Sequence, residues 1–260
     1  MEVRKMSNLK ARLKSGEFIT GTMITLVENP DIIKILKIAG FDFVIIDNEH
    51  GSFDYGVVAR MCSVAKAIDF PAIIRIPEPR REIVLKYMEM GADGILLPNC
   101  ENAETAKMLV EFSKYAPMGN RGVSLLRGHN SYLAPASATE YMRKANEETI
   151  IMCQIESPVG VENAASMLDV DGVDACFIGP NDLSQSFGLM GQFSHPAVTG
   201  AMDKVVAAAK AKGKFSGVHF SGSPDMLKPW MEKGMTLNLW ANDIIMMMNN
   251  AREGLGKIRA

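Results

Sequence analysis

The 260-residue sequence lacks the features of membrane, secreted and nucleic-acid-binding proteins. It contains no run of about 18 apolar residues, so we expect no membrane-spanning helix. Its 28 lysines and arginines nearly balance 30 aspartates and glutamates, and the net charge of -2 gives no electrostatic reason to bind nucleic acid or an anionic membrane. The N-terminal stretch MEVRKMSNLKARLKSGEF lacks the apolar core of a secretory signal, which predicts a cytoplasmic protein.

Cysteine is also scarce. The four cysteines lie within apolar stretches and never form a C-x-x-C pair: Cys62, Cys100, Cys153 and Cys176. This spacing supports neither a structural zinc site nor a disulfide framework. We therefore expect four buried, reduced thiols that behave as small apolar side chains.

Short β-rich runs alternate with helical patterns along the chain. The eight predicted strands cover residues 18–25, 43–47, 72–76, 94–98, 150–156, 175–179, 214–220 and 236–240. Most of these runs are almost continuously apolar, as parallel strands covered on both faces are. Eight strands alternating with helices in this length predict one (β/α)8 TIM barrel spanning residues 1–260. A doubly wound open sheet is the alternative, but no G-x-G-x-x-G follows the first strand.

One connection is much longer than the others. Residues 115–148 are polar and irregular, ending in a helix-like segment, ATEYMRKANEE. Loops of this length are usually functional or disordered. The segment follows the fourth strand and its helix, so it could pack over either end of the barrel.

Polar residues gather where the predicted strands end, the edge at which barrel enzymes place their sites. Those that the sequence places there include Asp47, Glu49, His50, Arg75, Gln154, Glu156, Gly179, Pro180, Asn181, Asp182, His219, Asn242 and Asp243. Glu156 and Asp182 follow adjacent strands, which suits a hard divalent cation such as Mg²⁺ or Mn²⁺. A general acid/base pair and a helix-capping role for Asp182 are the alternatives.

Arg75 lies inside the apolar run AIIRI and needs an anionic partner. A substrate carboxylate, a developing enolate oxygen and a structural ion pair all meet that need. His50 could act as a base, as a ligand or as a structural residue. None of the eight strand ends carries lysine, which excludes a Schiff-base aldolase. Carbon–carbon chemistry beside a carbonyl would therefore require a metal as the electron sink.

Taken together, several motifs resemble the HpcH/HpaI aldolase family over about residues 17–235. They are FDFVIIDNEH, IIRIP, MGADGILLPNCENAETAKMLVEFSKYAPMGNRGV, CQIES and FIGPNDLSQSFG. The resemblance implies a class II aldolase that reversibly cleaves a 4-hydroxy-2-oxo acid to pyruvate and an aldehyde. It also implies a phosphoenolpyruvate/pyruvate-type barrel that needs Mg²⁺, Mn²⁺ or Co²⁺ and no organic cofactor. A hexamer built as a trimer of dimers, with C-terminal helices exchanged between subunits, is expected.

The same resemblance assigns roles by position. It makes Glu156 and Asp182 the metal ligands, His50 the catalytic histidine and Arg75 the residue that stabilises the pyruvate enolate. Three further assignments complete the expected site: Asp47 as a supporting acid, Gln154 near the pyruvate oxygens, and the Gly179, Pro180, Asn181 turn, through Asp182, as the carboxylate-binding backbone. Glu89 stands where many members have an aspartate that pairs with the histidine across a subunit contact.

Two stretches depart from the family pattern: NLWAND at strand eight, and LLRGHNSYL in the long connection. They are expected to shape the pocket for the part of the substrate that is not pyruvate. The alternative activity is therefore an acyl-CoA condensation or cleavage of the citrate synthase, citramalyl-CoA or malyl-CoA lyase type. A non-catalytic, metabolite-binding barrel is the alternative from another functional class.

Overall fold

A computed structural model describes residues 8–260 and contains eight parallel strands that close into a barrel in chain order. The strands are β1 Ile19–Ile24, β2 Phe43–Asp47, β3 Ala72–Arg75, β4 Gly94–Leu97, β5 Ile150–Ile155, β6 Ala175–Ile178, β7 Phe215–Phe220 and β8 Leu237–Asn242. Every strand pairs in parallel with its neighbour, and β8 closes the barrel onto β1. The predicted (β/α)8 architecture is confirmed.

Helices separate the strands along the chain. They are α1 Leu9–Lys14, α2 Ile32–Ala39, α3 Tyr55–Ala67, α4 Arg81–Met90, α5 Ala103–Ser113, α6 Ala138–Glu148, α7 Pro158–Glu162, α8 Ala164–Leu168, α9 Pro180–Ser186, α10 Pro196–Ala211, α11 Lys228–Glu232 and α12 Asp243–Arg259. Several end where a glycine takes a left-handed conformation, as Gly40 does after α2 and Gly91 after α4. None of the helices in the described part of the chain is long and apolar enough to cross a bilayer.

Alternating side chains divide the core into two layers. Phe43 and Ile45 point into the barrel interior, whereas Val44 and Ile46 belong to the layer between the strands and the surrounding helices. This follows from the two-residue period of a strand, and both layers are apolar because both faces of the sheet are covered. The four cysteines are buried and unpaired, as expected.

The long connection packs at the amino-terminal end of the barrel. It is irregular apart from a single 3-10 turn, Gly128–Asn130, and it ends in α6, which matches the predicted helical segment. The fully buried Lys114 ties the two ends of the connection together, because its Nζ donates to the carbonyls of Asn146 at 2.7 Å and Thr149 at 2.5 Å. This arrangement leaves the carboxyl ends of the strands open.

Lys114 predicts a specific dependence of stability on pH. Burial, with a smaller repulsion from Lys10, lowers the pKa of Lys114 to about 7. Between that value and the unfolded value of about 10.4, the unfolded chain binds more protons, so this group makes stability rise with pH. From about pH 7 to about pH 10, we expect wild type to gain up to roughly 1 kcal/mol per pH unit relative to Lys114→Met.

Urea denaturation of both proteins at several pH values measures this difference in unfolding free energy. Lys144→Met is the matched control, because Lys144 is exposed and its removal should give no comparable pH dependence. A difference between wild type and Lys114→Met that stays constant above pH 7 would contradict the expectation.

The C-terminal helix α12 packs little against its own barrel. Asp243, at its start, is the only one of its 17 residues that is buried. Met247, Leu255 and Ile258 are exposed despite being apolar. The helix therefore presents an apolar surface that its own barrel does not cover.

Candidate active site

The carboxyl ends of the strands surround a cavity of about 400 Å³. Ten of the residues that the sequence placed at the strand ends line it: Asp47, His50, Arg75, Gln154, Gly179, Pro180, Asn181, Asp182, His219 and Asn242. Glu156 is buried directly beneath this set, where it contacts the side chain of Gln154. Residues from six separate strand ends are therefore brought to one opening.

Asp47 holds Arg75 in a single orientation. Nε of Arg75 donates to Oδ1 of Asp47 at 2.8 Å, and Nη2 donates to Oδ2 at 2.7 Å. The two residues are opposite each other in the register of β2 and β3, which explains the bidentate geometry. Burial opposes the charge of the guanidinium, but its bonds to Asp47 raise the pKa of Arg75 above its ordinary value. Arg75 therefore stays cationic, and its guanidinium is held in one orientation.

Glu49 completes the partners of the arginine. Its Oε2 lies 2.9 Å from Nη1 of Arg75, close enough for an ion pair, although no well-aligned hydrogen bond satisfies this oxygen. Burial raises the pKa of Glu49, and the charge of Arg75 opposes that rise. The sequence placed Glu49 at the strand end without assigning it a role, and the structure shows it as a second carboxylate beside Arg75.

Glu156 is a buried carboxylate with its two oxygens engaged separately. Oε1 accepts from Nε2 of Gln154 at 2.7 Å, and Oε2 accepts from the backbone N–H of Asn99 at 2.9 Å. A Cβ at residue 179 would lie 2.4 Å from Oε1, so any residue other than glycine would displace the Glu156 side chain. The β6–α9 turn can therefore pass directly over this carboxylate.

The donor set around Glu156 fits a hard cation. Burial, with repulsion from Glu49 and Asp182, raises the pKa of Glu156 to about 7, and a bound cation would relieve both effects. Oε1 of Gln154 is a second buried oxygen, and it has no hydrogen-bond partner. Within residues 8–260, no three His, Cys, Asp or Glu side chains form a complete metal site. Glu156 and Asp182 would thus leave several positions to water and substrate, as Mg²⁺ usually does.

The β6–α9 turn offers fewer free amides than the sequence suggested. The N–H of Gly179 donates to the carbonyl of Ile155 at 3.2 Å, and Pro180 has no N–H. Gly179 and Pro180 therefore have no free N–H to offer a substrate carboxylate. The amides of Asn181 and Asp182, in the first turn of α9, are the remaining donors of this turn, and a carboxylate-binding role for them stays a prediction.

Two histidines, His50 and His219, line the barrel mouth, which is the opening at the carboxyl ends of the strands, and their environments differ. His50 is exposed at the rim, with Nε2 4.0 Å from Oε2 of Glu49. His219 is more enclosed, and its Nε2 donates to the carbonyl of Ala241 at 2.9 Å, which fixes the tautomer of the neutral ring. Burial lowers the pKa of His219 to about 4, so its ring is neutral near pH 7.

The residues at the end of strand eight, where the sequence departs from the family pattern, make specific contacts. Asp243 accepts hydrogen bonds from the backbone N–H groups of Thr25, Leu26 and Val27, so it shapes the loop after β1. Burial opposes its charge, but these bonds lower the pKa of Asp243. Asn242 caps α12 by accepting from the N–H of Ile245. The sequence placed both residues in the stretch expected to shape the pocket, and the structure shows that Asn242 lines the cavity while Asp243 holds the loop after β1.

Several lining residues were not singled out from the sequence: Met23, Thr25, Phe177, Ser221 and Ile244. Their position at or just inside a strand end is the signal that could have identified them. Glu89 is not among the lining residues. It lies near the end of α4 and lines a different cavity, so within one chain it does not meet His50. Its pairing across a subunit contact stays a prediction.

The similarity of this chain to known proteins extends over nearly its whole length. Residues 22–249 match the family model described as HpcH/HpaI aldolase/citrate lyase. A hydroxypyruvate/pyruvate aldolase of Roseobacter denitrificans is 32% identical over 247 residues, 95% of each protein. The crystal structure of an HpcH/HpaI aldolase from Desulfitobacterium hafniense DCB-2 superposes with a TM-score of 0.92 at 34% identity, covering 97% of this chain and 96% of that one. The structure of the citrate synthase SbnG superposes with a TM-score of 0.86 at 26% identity, covering 97% of each.

Proposed function

This chain belongs to the HpcH/HpaI aldolase/citrate lyase family, and we propose that its barrel mouth performs the family reaction with the residues described above. The family function is that of a class II pyruvate aldolase, a carbon–carbon lyase that cleaves 4-hydroxy-2-oxo acids to pyruvate and an aldehyde. One observation carries the assignment of residues. Arg75, locked onto Asp47, lines the same cavity as Gln154 and the turn that bears Asp182.

The pyruvate half of the substrate would be held by the inner part of the cavity. Gln154 and the amides of Asn181 and Asp182 supply hydrogen-bond donors there, which suit the oxygens of a 2-oxo-carboxylate. Arg75 supplies a cationic donor for the enolate oxygen that develops as the carbon–carbon bond breaks. Its contacts with Asp47 and Glu49 pre-orient the guanidinium, so little reorganisation is needed during the reaction.

His50 would handle the proton of the C4 hydroxyl. Its position at the exposed rim places the imidazole where the aldehyde half enters and leaves. Removal of this proton starts the cleavage, and a positioned base accelerates such a step by roughly 10²–10⁴-fold.

Glu156 and Asp182 would hold one divalent cation, Mg²⁺, Mn²⁺ or Co²⁺, and no organic cofactor is expected. When bound, such an ion supplies Lewis-acid stabilisation of negative charge on the substrate oxygens. The support for this proposal is the buried carboxylate of Glu156 with its raised pKa, together with the unpartnered Oε1 of Gln154. These features fit an oxygen-ligand site better than an acid/base pair or a simple helix cap.

Removing a carboxylate ligand should remove both metal binding and activity. We expect Glu156→Gln to bind Mn²⁺ at least about tenfold more weakly and to lose cleavage activity, since the amide keeps the shape but not the charge. Calorimetric Mn²⁺ titration and a pyruvate-release assay measure the two effects. Glu162→Gln is the matched control, because Glu162 is an exposed carboxylate on α7. Full activity of the chelated Glu156→Gln protein would rule out the assignment.

The test of the overall reaction is a panel of aldehydes offered with pyruvate, with metal added or chelated. We expect metal-dependent formation of 4-hydroxy-2-oxo acids, and pyruvate release in the reverse direction. The alternative is a citrate-synthase-like or malyl-CoA-lyase-like reaction, favoured by the similarity to SbnG and by the unusual strand eight. Release of free CoA from an acyl-CoA would support the citrate-synthase-like reaction, and formation of an acyl-CoA from a 3-hydroxyacyl-CoA would support the lyase-like one.

We infer that the protein assembles into an oligomer through α12, with a hexamer as the expected form. The support is the exposed apolar surface of this helix, since large exposed apolar patches are uncommon on monomers. Exchange of α12 between subunits and pairing of Glu89 with a neighbouring His50 belong to the same proposal.

Light scattering should give a mass about six times that of the 28.4-kDa chain. We expect Met247→Glu to reduce the assembled fraction, because it places a charge on the apolar surface of α12. Asn249→Glu is the control, as it adds the same charge at an exposed polar position of that helix. A monomeric wild-type protein at micromolar concentration would defeat the proposal.

A further inference from the structure

The barrel has a second cavity at its amino-terminal end, opposite the active site. Its volume is about 300 Å³, and it lies where the chain enters β4 and β5. Its lining includes Lys66, Asp93, Arg121, His129, Tyr141 and Lys144. None of these residues takes part in the proposed aldolase reaction, so the cavity needs a separate explanation.

Arg121 is the unusual member of this lining. Its side chain is buried, with a relative exposure of 6% for the residue, yet Nε and Nη2 have no hydrogen-bond partner. Its guanidinium lies over the ring of Tyr115 at 4.5 Å, which covers one face but does not satisfy the N–H groups. Within residues 8–260, Arg121 forms no hydrogen bond through these two nitrogens, and the attraction of the Glu89 carboxylate is too weak to outweigh the effect of burial on its pKa.

The other two buried arginines of the described chain are both paired. Arg12 contacts the carboxylates of Glu17 and Asp42, and Arg75 contacts those of Asp47 and Glu49. In Arg121, by contrast, burial lowers the pKa, and no carboxylate in contact with it reverses the effect. Because an unpaired buried charge is costly, a guanidinium in this state is a ready site for an anion.

The remaining polar groups of the cavity are compatible with a single negative charge. His129 has an unpartnered Nε2, while its Nδ1 lies 3.4 Å from the carbonyl of Glu89. The lining carboxylates are engaged elsewhere: Asp93 accepts from the N–H of Ala72, and Glu148 lies 3.7 Å from Nζ of Lys144. Their presence disfavours a dianion such as phosphate, and the small volume disfavours a large ligand.

We propose that this cavity binds a small monocarboxylate, with the Arg121 guanidinium as its cationic partner. A carboxylate matches the planar fork of arginine, and its entry would have to expose the buried Nε and Nη2, which it would then satisfy together. The site is distinct from the pyruvate-binding mouth, since the two cavities share no lining residue.

Acetate is the probe for this site, and the imidazole resonance of His129 is the local readout. The sequence has four histidines, so the resonance can be identified by its loss in His129→Gln. Titrating the wild-type protein with acetate should shift this resonance saturably. In Arg121→Gln, the midpoint should rise by at least about tenfold, because the charged donors are lost. Arg127→Gln is the matched control, as Arg127 is an exposed arginine of the same segment.

Circular dichroism checks that Arg121→Gln is folded, and Arg121→Lys replaces it if it is not, since lysine keeps the charge but loses the fork. An acetate midpoint unchanged in the folded variant would overturn the proposal. So would a wild-type His129 resonance that ignores acetate, responds only to phosphate, or moves only with protein concentration. Shifts of His50 or His219 report the mouth and do not count as support.

Discussion

Replacing Arg75 with lysine is expected to lower kcat/KM for retro-aldol cleavage by on the order of 10²–10³-fold. Exchange of the pyruvate methyl protons should fall by a similar factor, because both reactions pass through the same enolate. Lysine retains the positive charge but cannot form the two parallel bonds to Asp47 that orient the guanidinium at 2.7 and 2.8 Å. Because the charge is retained, the loss measures the contribution of the oriented guanidinium rather than that of charge alone.

Pyruvate release measures cleavage, and deuterium uptake into pyruvate, followed by NMR in heavy water, measures exchange. Arg80→Lys serves as the control, because Arg80 is a surface arginine that pairs only with the exposed Glu78 and Glu82. If Arg75→Lys exchanges pyruvate protons at the wild-type rate, then Arg75 does not stabilise the enolate.

Replacing His50 should separate the two reactions. We expect His50→Gln to lose cleavage by roughly 10²–10⁴-fold, the usual value of a positioned base. Exchange at the pyruvate methyl group should be largely retained, because no hydroxyl proton has to be removed in that reaction. The pair of assays used for Arg75 applies here, with His195→Gln as the control for an exposed histidine outside the mouth.

Normal cleavage by His50→Gln would place the base elsewhere. His219 would then be the next candidate, since it lines the same cavity. Its Nε2 already donates to Ala241, and burial keeps its pKa at about 4, so it is a weaker base than an exposed imidazole. Equal loss of cleavage and exchange in His50→Gln would instead indicate a role in binding pyruvate.

The strands and the residues tested in these experiments could be predicted from the sequence for simple physical reasons. Near-continuous apolar runs bounded by glycine and polar residues predicted the eight strands, because parallel strands are buried on both faces. Once a barrel was inferred, every strand end pointed to the same opening, which placed Asp47, Arg75, Gln154 and Glu156 together. The ordered motifs then predicted the family, and the match of residues 22–249 to the family model confirms it.

Other features depend on contacts between residues far apart in the chain, which no local pattern records. Arg75 bonds to a residue 28 positions away, and Asp243 holds a loop more than 200 positions earlier. The burial that raises the pKa of Glu156 to about 7 also arises only when the barrel closes around it.

The sequence by itself therefore determined the strands, the barrel and the types of residue at its mouth, because these follow from periodicity and from the order of the strands. Only the folded chain established which carboxylate orients Arg75, which amides of the β6–α9 turn remain free, and that the buried Arg121 has two nitrogens without a hydrogen-bond partner among residues 8–260. Pairing and desolvation are properties of three-dimensional neighbours, and the neighbours of a buried charge come from distant parts of the chain.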